Sequence, residues 1–348
     1  MNIGGIERKI VDICQNYSDT PTKIYLLLKT KSGVLLEQIP KNVIILSPNY
    51  HPFISNLFFW VWIYTQVNRY SPKLILSFGN FYSIHTLFSK VIFHFSTPTI
   101  ISEDSSIDIQ LQSDKFTHIR RLLIKHLYPT ASGAIVLTST SKKKLIQLCP
   151  KVKNIITILP NWLPLSLPHT PSVKTTKTND LLFLGRFATQ KNPLEFLKIY
   201  RHLLLSRPKT TATMVGSGPL LTTVKNYITK HNLPVNLISP TIDVLPYYRQ
   251  SRILLLTSLH EGFPLTILEA FSQKCLVVSR SLPEIRDFFD LNSHTTLYQS
   301  PTKAPNMVQH LLTQPRESTR LVNHYYTRIL NDQKNNFHAT LNYLNQYL

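Results

Sequence analysis

Short apolar runs, each only a few residues long and closed by Pro, Ser, Asn or Gly, recur along the whole chain. They are Ile24–Leu28, Val43–Leu46, Leu74–Leu76, Thr99–Ile101, Ala134–Leu137 and Ile155–Leu159, then Leu181–Leu184, Thr213–Val215, Val235–Ile238, Ile253–Leu256 and Leu276–Val278. Apolarity within each run is continuous rather than alternating, so the strands it predicts are buried on both faces, as in parallel sheets. Between them lie stretches suited to helices, such as Pro193–Leu205 and Pro219–His231. Repeated βα units of this kind place the chain in the doubly wound α/β class.

The chain has 348 residues, 43% of them apolar and 16% charged. That is too long for one ordinary core and too apolar for disorder, so two domains are expected. Pro160–Asp180 carries four prolines among Thr and Lys and has no apolar period, which reads as a linker. The expected units are residues 1–165 and 175–324. The tail Leu321–Leu348 has a helical pattern, and its part from 325 to 348 is expected to complete the first domain. Cys14, Cys149 and Cys275 lie far apart, which excludes a disulfide scaffold and a thiolate metal site and implies a reducing compartment. Glu7, Arg8 and Lys9 occupy the place where a secretion signal needs apolar residues. The longest apolar stretch, Leu57–Tyr64, is far below the roughly 18 residues of a membrane span. Its aromatic part, Phe58–Tyr64, is expected as a buried helix of the first domain. A soluble or peripheral, cytoplasmic protein is expected.

Charge and glycine are the two compositional anomalies. Lys and Arg number 38 against 18 Asp and Glu, a net charge of +20. The window Lys115–Lys153 holds nine basic residues and no acid. Within it Arg120, Arg121 and Lys125 alternate with Ile119, Leu122, Leu123, Ile124 and Leu127 at near-helical spacing. Such a helix suits an anionic lipid surface, and equally a core helix with one solvated basic face. No recognised nucleic-acid module accompanies it. The thirteen histidines form no metal-ligand pattern, and His94 is expected to be a packed core residue.

Nine glycines stand where average usage of about 7% would give about 25. A chain so poor in glycine should keep it where a Cβ cannot be accommodated. Six of the nine fall in short clusters: Gly4 and Gly5, Gly185, Gly216 with Gly218, and Gly262.

The strongest cluster is Thr257–Glu269, directly after the run Ile253–Leu256. Pro264 suits the first turn of a helix, and Gly262 allows a tight turn before it. The amides from Phe263 through Leu265 to Thr266 then face whatever sits above the strand ends, an arrangement that attracts phosphate. Glu261 and Glu269, two turns of helix apart, fit a shared ligand, and on spacing alone they also fit a helix cap and a surface residue. The second cluster, Leu184–Pro193, places Arg186 and Lys191 at the end of a strand, where two cations match a diphosphate or simply a solvated turn. The third, Met214–Pro219, is a glycine turn from strand to helix.

In this order and spacing, Gly185-Arg186…Lys191, Val215–Pro219 and Glu261–Pro264…Glu269 resemble the retaining glycosyltransferases of family 4, which have the GT-B fold. The resemblance covers the second half of the chain. It extends more faintly to Gly4–Arg8, similar to the family's early glycine loop, and to Ile101–Asp104, similar to a cleft-lining stretch that includes Glu103. It implies two Rossmann-like doubly wound domains facing a cleft. It further implies that Arg186 and Lys191 hold the diphosphate of a nucleotide-sugar donor, that Glu261 binds sugar hydroxyls, and that Glu269 binds the ribose. The acceptor implied is a lipid-linked or surface glycan, and no metal or other cofactor is implied, in keeping with the lack of an Asp-x-Asp pair.

The same architecture also serves epimerases and sugar-phosphate synthases, and a basic lipid- or nucleic-acid-binding protein with a dead sugar site is a third reading. Three departures from the family stand out: Ser239-Pro240 replaces a glycine, the turn Arg280–Glu284 lacks glycines, and Met1 stands directly before the glycine loop. The family's first strand is therefore expected to be missing, through truncation or a misassigned start.

Overall fold

The computed structural model describes residues 4–48, 52–107, 117–164, 176–289 and 296–348. The chain divides into two compact units, Met1–Ser166 with Asn336–Leu348, and Leu167–Asn335. All eleven strands expected from the apolar runs are present, with ends shifted by one or two residues. Among the described residues every strand pairing is parallel, in keeping with burial on both faces.

The first unit contains α1 (Gly5–Ser18), β1 (Tyr25–Leu27), β2 (Ile44–Leu46), α2 (Pro52–Tyr70), β3 (Ile75–Phe78), α3 (Gly79–Phe93) and β4 (Thr99–Glu103). It continues with α4 (Thr117–Leu127), β5 (Gly133–Val136), α5 (Ser139–Leu148) and β6 (Ile156–Ile158). Its sheet is in two pieces, β1-β2 and β3-β4-β5-β6. The central strands β4 and β5 are buried throughout, and Ile84, Leu87, Ile124 and Tyr128 pack on one face of them.

The second unit contains β7 (Asn179–Leu184), α6 (Pro193–Ser206), β8 (Ala212–Val215), α7 (Leu221–Lys230), β9 (Val235–Ile238), α8 (Leu245–Gln250) and β10 (Ser251–Leu256). After these come α9 (Leu265–Ser272), β11 (Leu276–Arg280), α10 (Pro283–Arg286), β12 (Leu297–Tyr298), α11 (Ala304–Thr313) and α12 (Pro315–Asn345), whose residues from Asn336 onward belong to the first unit. One sheet runs through this unit in the order β12-β11-β10-β7-β8-β9. Strand β12, two residues long, is too short to leave a periodic signal in the sequence.

Three expectations need correction. Residues 161–164 are not a loose linker: Trp162 is buried in the first unit, packs at a tilt against the Phe337 ring of α12 and donates from Nε1 to Asp12 Oδ2 at 2.7 Å. Proline fixes φ but does not forbid burial, and a tryptophan contributes more on burial than any other side chain here. The remainder of that segment, 165–175, lies outside the described residues. His94 is not a core residue; it is exposed and ends α3 in the left-handed conformation, with φ 53°. The aromatic helix α2 buries Phe59 and Ile63 as expected but leaves Phe58 exposed. The three cysteines are buried free thiols. Among the described residues no helix is long and apolar enough to cross a membrane.

Candidate functional site

The strand order of the second unit reverses between β7 and β10. The chain winds outward through β8 and β9 on one side and through β11 and β12 on the other. Loops leaving the carboxyl ends of the two strands at such a point part in opposite directions and open a crevice where α/β sheets hold ligands. The loops here are 185–192 and 257–264, the two strongest motifs of the sequence.

The two loops are joined. Leu259 N donates to Gln190 O at 2.8 Å, Gln190 Nε2 donates to His260 O at 3.2 Å, and Thr257 Oγ1 lies 3.0 Å from the carbonyl oxygens of both Lys191 and Asn192. Across this junction Lys191 Nζ meets Glu261 Oε1 at 2.5 Å, and Ser258 Oγ donates to the same oxygen at 2.6 Å. Glu261 is 6% exposed, so its charge rests on these two partners. Glu261 therefore does not cap the helix.

Helix α9 begins one residue later than expected, with Pro264 as its N-cap in extended conformation and Leu265 as its first residue. Ile267 N donates to Pro264 O at 3.1 Å, the Leu265 and Thr266 amides ahead of it have no intrahelical partner by construction, and Thr266 Oγ1, buried at the same helix end, has no partner among the described residues. Gly262 is buried, but its φ is not positive, so it makes no left-handed turn. Phe263 is buried against Phe288. Glu269 is not a surface residue: it is 2% exposed on the inner face of α9, and Tyr248 OH donates to its Oε2 at 2.8 Å.

Gly185, Gly216 and Gly218 do have positive φ, at 153°, 152° and 155°. A Cβ on Gly216 would lie 2.0 Å from the Gly185 carbonyl oxygen, and one on Gly218 would lie 2.5 Å from that of Phe187. Phe187 N donates to Ser217 O and Leu220 N to Phe187 O, both at 2.8 Å. These glycines thus let the β7 and β8 loops lie against each other. Arg186, between them, is exposed and forms no ion pair with a described residue.

Sequence reasoning missed Ser258 and Tyr248, which hold the two acids, and a buried cluster behind the Lys191 loop. There Glu195 accepts from Asn192 Nδ2 and from Tyr298 OH, both at 2.8 Å, and pairs with Arg280. Burial and the Glu195 carboxylate push the Tyr298 hydroxyl well above its ordinary pKa. Arg280 belongs to the turn noted for lacking glycines, and the carboxylate partner explains why a long side chain stands there.

Gly4, Gly5 and Glu103 belong to the first unit. Gly4 is the extended N-cap of α1, at φ −148°, and Gly5 is its first residue. Glu103 ends β4 and is fully enclosed. It accepts a short hydrogen bond from Tyr128 OH, and its Oε2 has no partner among the described residues. Beside it Lys9 Nζ pairs with Asp104 Oδ1 at 2.9 Å in an equally buried contact. Desolvation, aided by the Asp104 charge, pushes the Glu103 carboxyl up to about 8.

The folded protein keeps this proton up to about pH 8, whereas the unfolded chain releases it near 4.5, so stability falls as pH rises through that window. His85, driven down to about 4 chiefly by burial, acts in the opposite sense below its ordinary 6.5. We expect a loss of about 2 kcal/mol between pH 6.5 and 8, largely abolished in Glu103→Gln. Urea unfolding at both pH values measures it, and equal slopes in the two proteins would refute the assignment.

Residues 169–328 match the family model described as glycosyl transferases group 1. The chain is 26% identical over 278 residues to the amylovoran biosynthesis glycosyltransferase AmsD of Erwinia amylovora, covering 77% of this chain and 75% of that protein. It is 24% identical over 291 residues to the GalNAc-alpha-(1->4)-GalNAc-alpha-(1->3)-diNAcBac-PP-undecaprenol alpha-1,4-N-acetyl-D-galactosaminyltransferase of Campylobacter jejuni, covering 80% and 77%. Its fold is similar to that of Anabaena Alr3699/HepE, solved in complex with UDP and glucose, with TM-score 0.77, 15% identity and coverage of 97% and 96%. Against the longer TarM chain it spans 58%, at TM-score 0.67 and 14% identity. Two Rossmann-like units with parallel sheets, a GT-B fold and the matched module lead to one conclusion: residues 169–328 form a module of the glycosyl transferases group 1 kind, in a chain similar to glycosyltransferases over most of its length.

Proposed function

We propose that the chain transfers a sugar, with retention of configuration, from a UDP-sugar to a lipid-linked or surface-glycan acceptor. The observation that carries this reading is the Lys191–Glu261 contact at the switch point, a cation and an acid brought together beside the start of α9. In this reading Lys191 and the exposed Arg186 receive the diphosphate and neutralise the charge that develops as it leaves. Glu261, released from Lys191 in part, accepts from hydroxyls of the sugar, and the Leu265 and Thr266 amides orient the phosphate–sugar linkage. Glu269, held by Tyr248, binds the ribose. Arginine and lysine here take the charge-neutralising role that a divalent cation plays in other phosphoryl chemistry, so no metal is required.

The UDP preference is supported by the HepE complex, and the acceptor class by the names of the AmsD and C. jejuni relatives. A peripheral position at an anionic membrane is supported by α4, where Ile119 and Leu122 are each 57% exposed beside the exposed Arg121 and Lys125.

Thermal-shift screening against UDP-, GDP- and ADP-sugars tests the donor. A nucleotide sugar at about 100 times its Kd stabilises the folded chain by about 2.7 kcal/mol, and we expect this for UDP-sugars only. A flat response across the panel, with no product from labelled donors, would sink the reading.

A further inference from the structure

Asn192 forms an unusual corner. It precedes Pro193, the first residue of α6, yet its backbone is left-handed, at φ 48° and ψ 57°. A residue before proline is pushed towards extended conformations, and an N-cap asparagine is ordinarily extended, with its side-chain oxygen on the helix amides. Here the side chain makes no capping hydrogen bond. Its amide instead donates to Glu195 Oε2 at 2.8 Å, in the first turn of the helix. A residue other than glycine keeps such a conformation only where its surroundings hold it there.

Two grips do so. On one side Thr257 Oγ1, from the loop after β10, lies 3.0 Å from the carbonyl oxygens of both Lys191 and Asn192. On the other, the Glu195 carboxylate gathers donors from three parts of the chain: Asn192 Nδ2, Tyr298 OH of β12 at 2.8 Å, and the Arg280 guanidinium at the end of β11. Glu195 is buried, where an unpaired charge is costly, and Arg280 is the cation that meets it.

Lys191 stands at this corner. Its stem runs along Gly185, where a Cβ would lie 3.6 Å from Lys191 Cγ and 3.8 Å from Cε, and its Nζ reaches Glu261. The direction of that stem follows the peptide between Lys191 and Asn192, so a turn of the corner carries Nζ away from the crevice. A misplacement of about 1 Å at a reacting centre can cost about a hundredfold in rate.

We propose that Arg280, Glu195 and Tyr298 are positioning residues for Lys191: they lock Asn192 in its left-handed conformation and so aim the lysine across the crevice. This rests on the reading that Lys191 receives the departing diphosphate. Arg280 acts through Glu195 and Asn192, which gives the glycine-free turn Arg280–Glu284 a task at the site.

The effect belongs to kcat. Arg186 and the amides at the start of α9 still receive the diphosphate in the ground state, whereas the charge that Lys191 neutralises grows as the bond to the sugar breaks. Arg280→Met is expected to lower kcat about thirtyfold and to change the donor KM less than about threefold.

The test is a double-mutant cycle with Asn192→Gly in the full chain. Glycine adopts the left-handed conformation unaided and offers Glu195 no amide to grip. Arg280→Met is therefore expected to cost about thirtyfold in kcat beside the native asparagine and less than about threefold beside glycine. General destabilisation would lower kcat alike in both backgrounds. A second readout needs no substrate: hydrogen exchange of the Lys191 and Asn192 amides, both bonded to Ala188 O, and of Leu259, bonded to Gln190 O. Arg280→Met is expected to speed these at least about tenfold, again only beside asparagine, with Leu182 and Leu254 of β7 and β10 unchanged. Should Arg280→Met fail to fold, Glu195→Leu/Arg280→Met takes its place, because it leaves no charge unpaired. Losses in kcat and in protection that depend on Asn192 support the proposal. Equal losses in both backgrounds, or unaltered exchange at Lys191 and Leu259, overturn it. A parent chain that transfers no sugar removes the reading of Lys191 instead, and the exchange cycle still decides whether the cluster holds the corner.

Discussion

Gly216→Ala is expected to destabilise the second unit severely. The added Cβ would sit 2.0 Å from the Gly185 carbonyl oxygen and 3.1 Å from Phe187 Cε1, at a φ of +152° that side chains rarely adopt. The carbonyl cannot swing aside, because the same loop is pinned by Gly185 N to Val215 O at 3.1 Å and by Phe187 N to Ser217 O. Backbone strain and steric overlap together are expected to exceed about 4 kcal/mol, a large part of a total stability of about 5–15 kcal/mol. Limited proteolysis and hydrogen exchange of β7 and β8 read the loss directly. Gly262→Ala serves as the control, since Gly262 has no positive φ and its replacement is expected to shift Tm far less. A Gly216→Ala protein melting within about 3 °C of the parent would show that the two loops separate without cost.

Lys191→Ala is expected to lower kcat/KM about a thousandfold, because the cation proposed to hold the leaving diphosphate is gone. The substitution also strands Glu261, which among the described residues keeps only the Ser258 hydroxyl at 2.6 Å, and is expected to cost about 1–3 kcal/mol in stability. Lost activity could then reflect a disturbed loop rather than lost chemistry. The double variant Lys191→Ala/Glu261→Gln separates the two effects, since a neutral amide needs no counter-charge. It is expected to regain most of the stability and none of the transfer. Steady-state kinetics with a labelled UDP-sugar, alongside urea unfolding, supplies both readouts. Transfer within tenfold of the parent in either variant would remove Lys191 from the chemistry.

The motif Thr257–Glu269 was legible because its parts are local: a strand, a turn and a helix in unbroken sequence. The meeting of Lys191 with Glu261, 70 residues apart, was not, since it depends on β7 and β10 being neighbours in the sheet. The roles of the glycines were legible only in outline. Scarcity marks Gly185, Gly216 and Gly218 as places where a Cβ is not tolerated, but what a Cβ would strike is a carbonyl on another loop. Gly262, equally suspect by scarcity, has no positive φ. Glu269 shows the same limit, for its burial against Tyr248 of a different helix decides that it is not a surface acid.

By itself, then, the sequence determined the strands and their parallel class, because continuous apolarity reports burial on both faces at each position independently. It also determined where loops 185–192 and 257–264, to which the proposed reading gives the chemistry, would begin. Tertiary structure alone decided that Trp162 belongs to a core, that Glu103 holds its proton to near neutral pH, and that Arg280 pairs with Glu195. Each of these turns on desolvation or on contact between groups remote in the chain, and neither leaves a mark in the order of neighbouring residues.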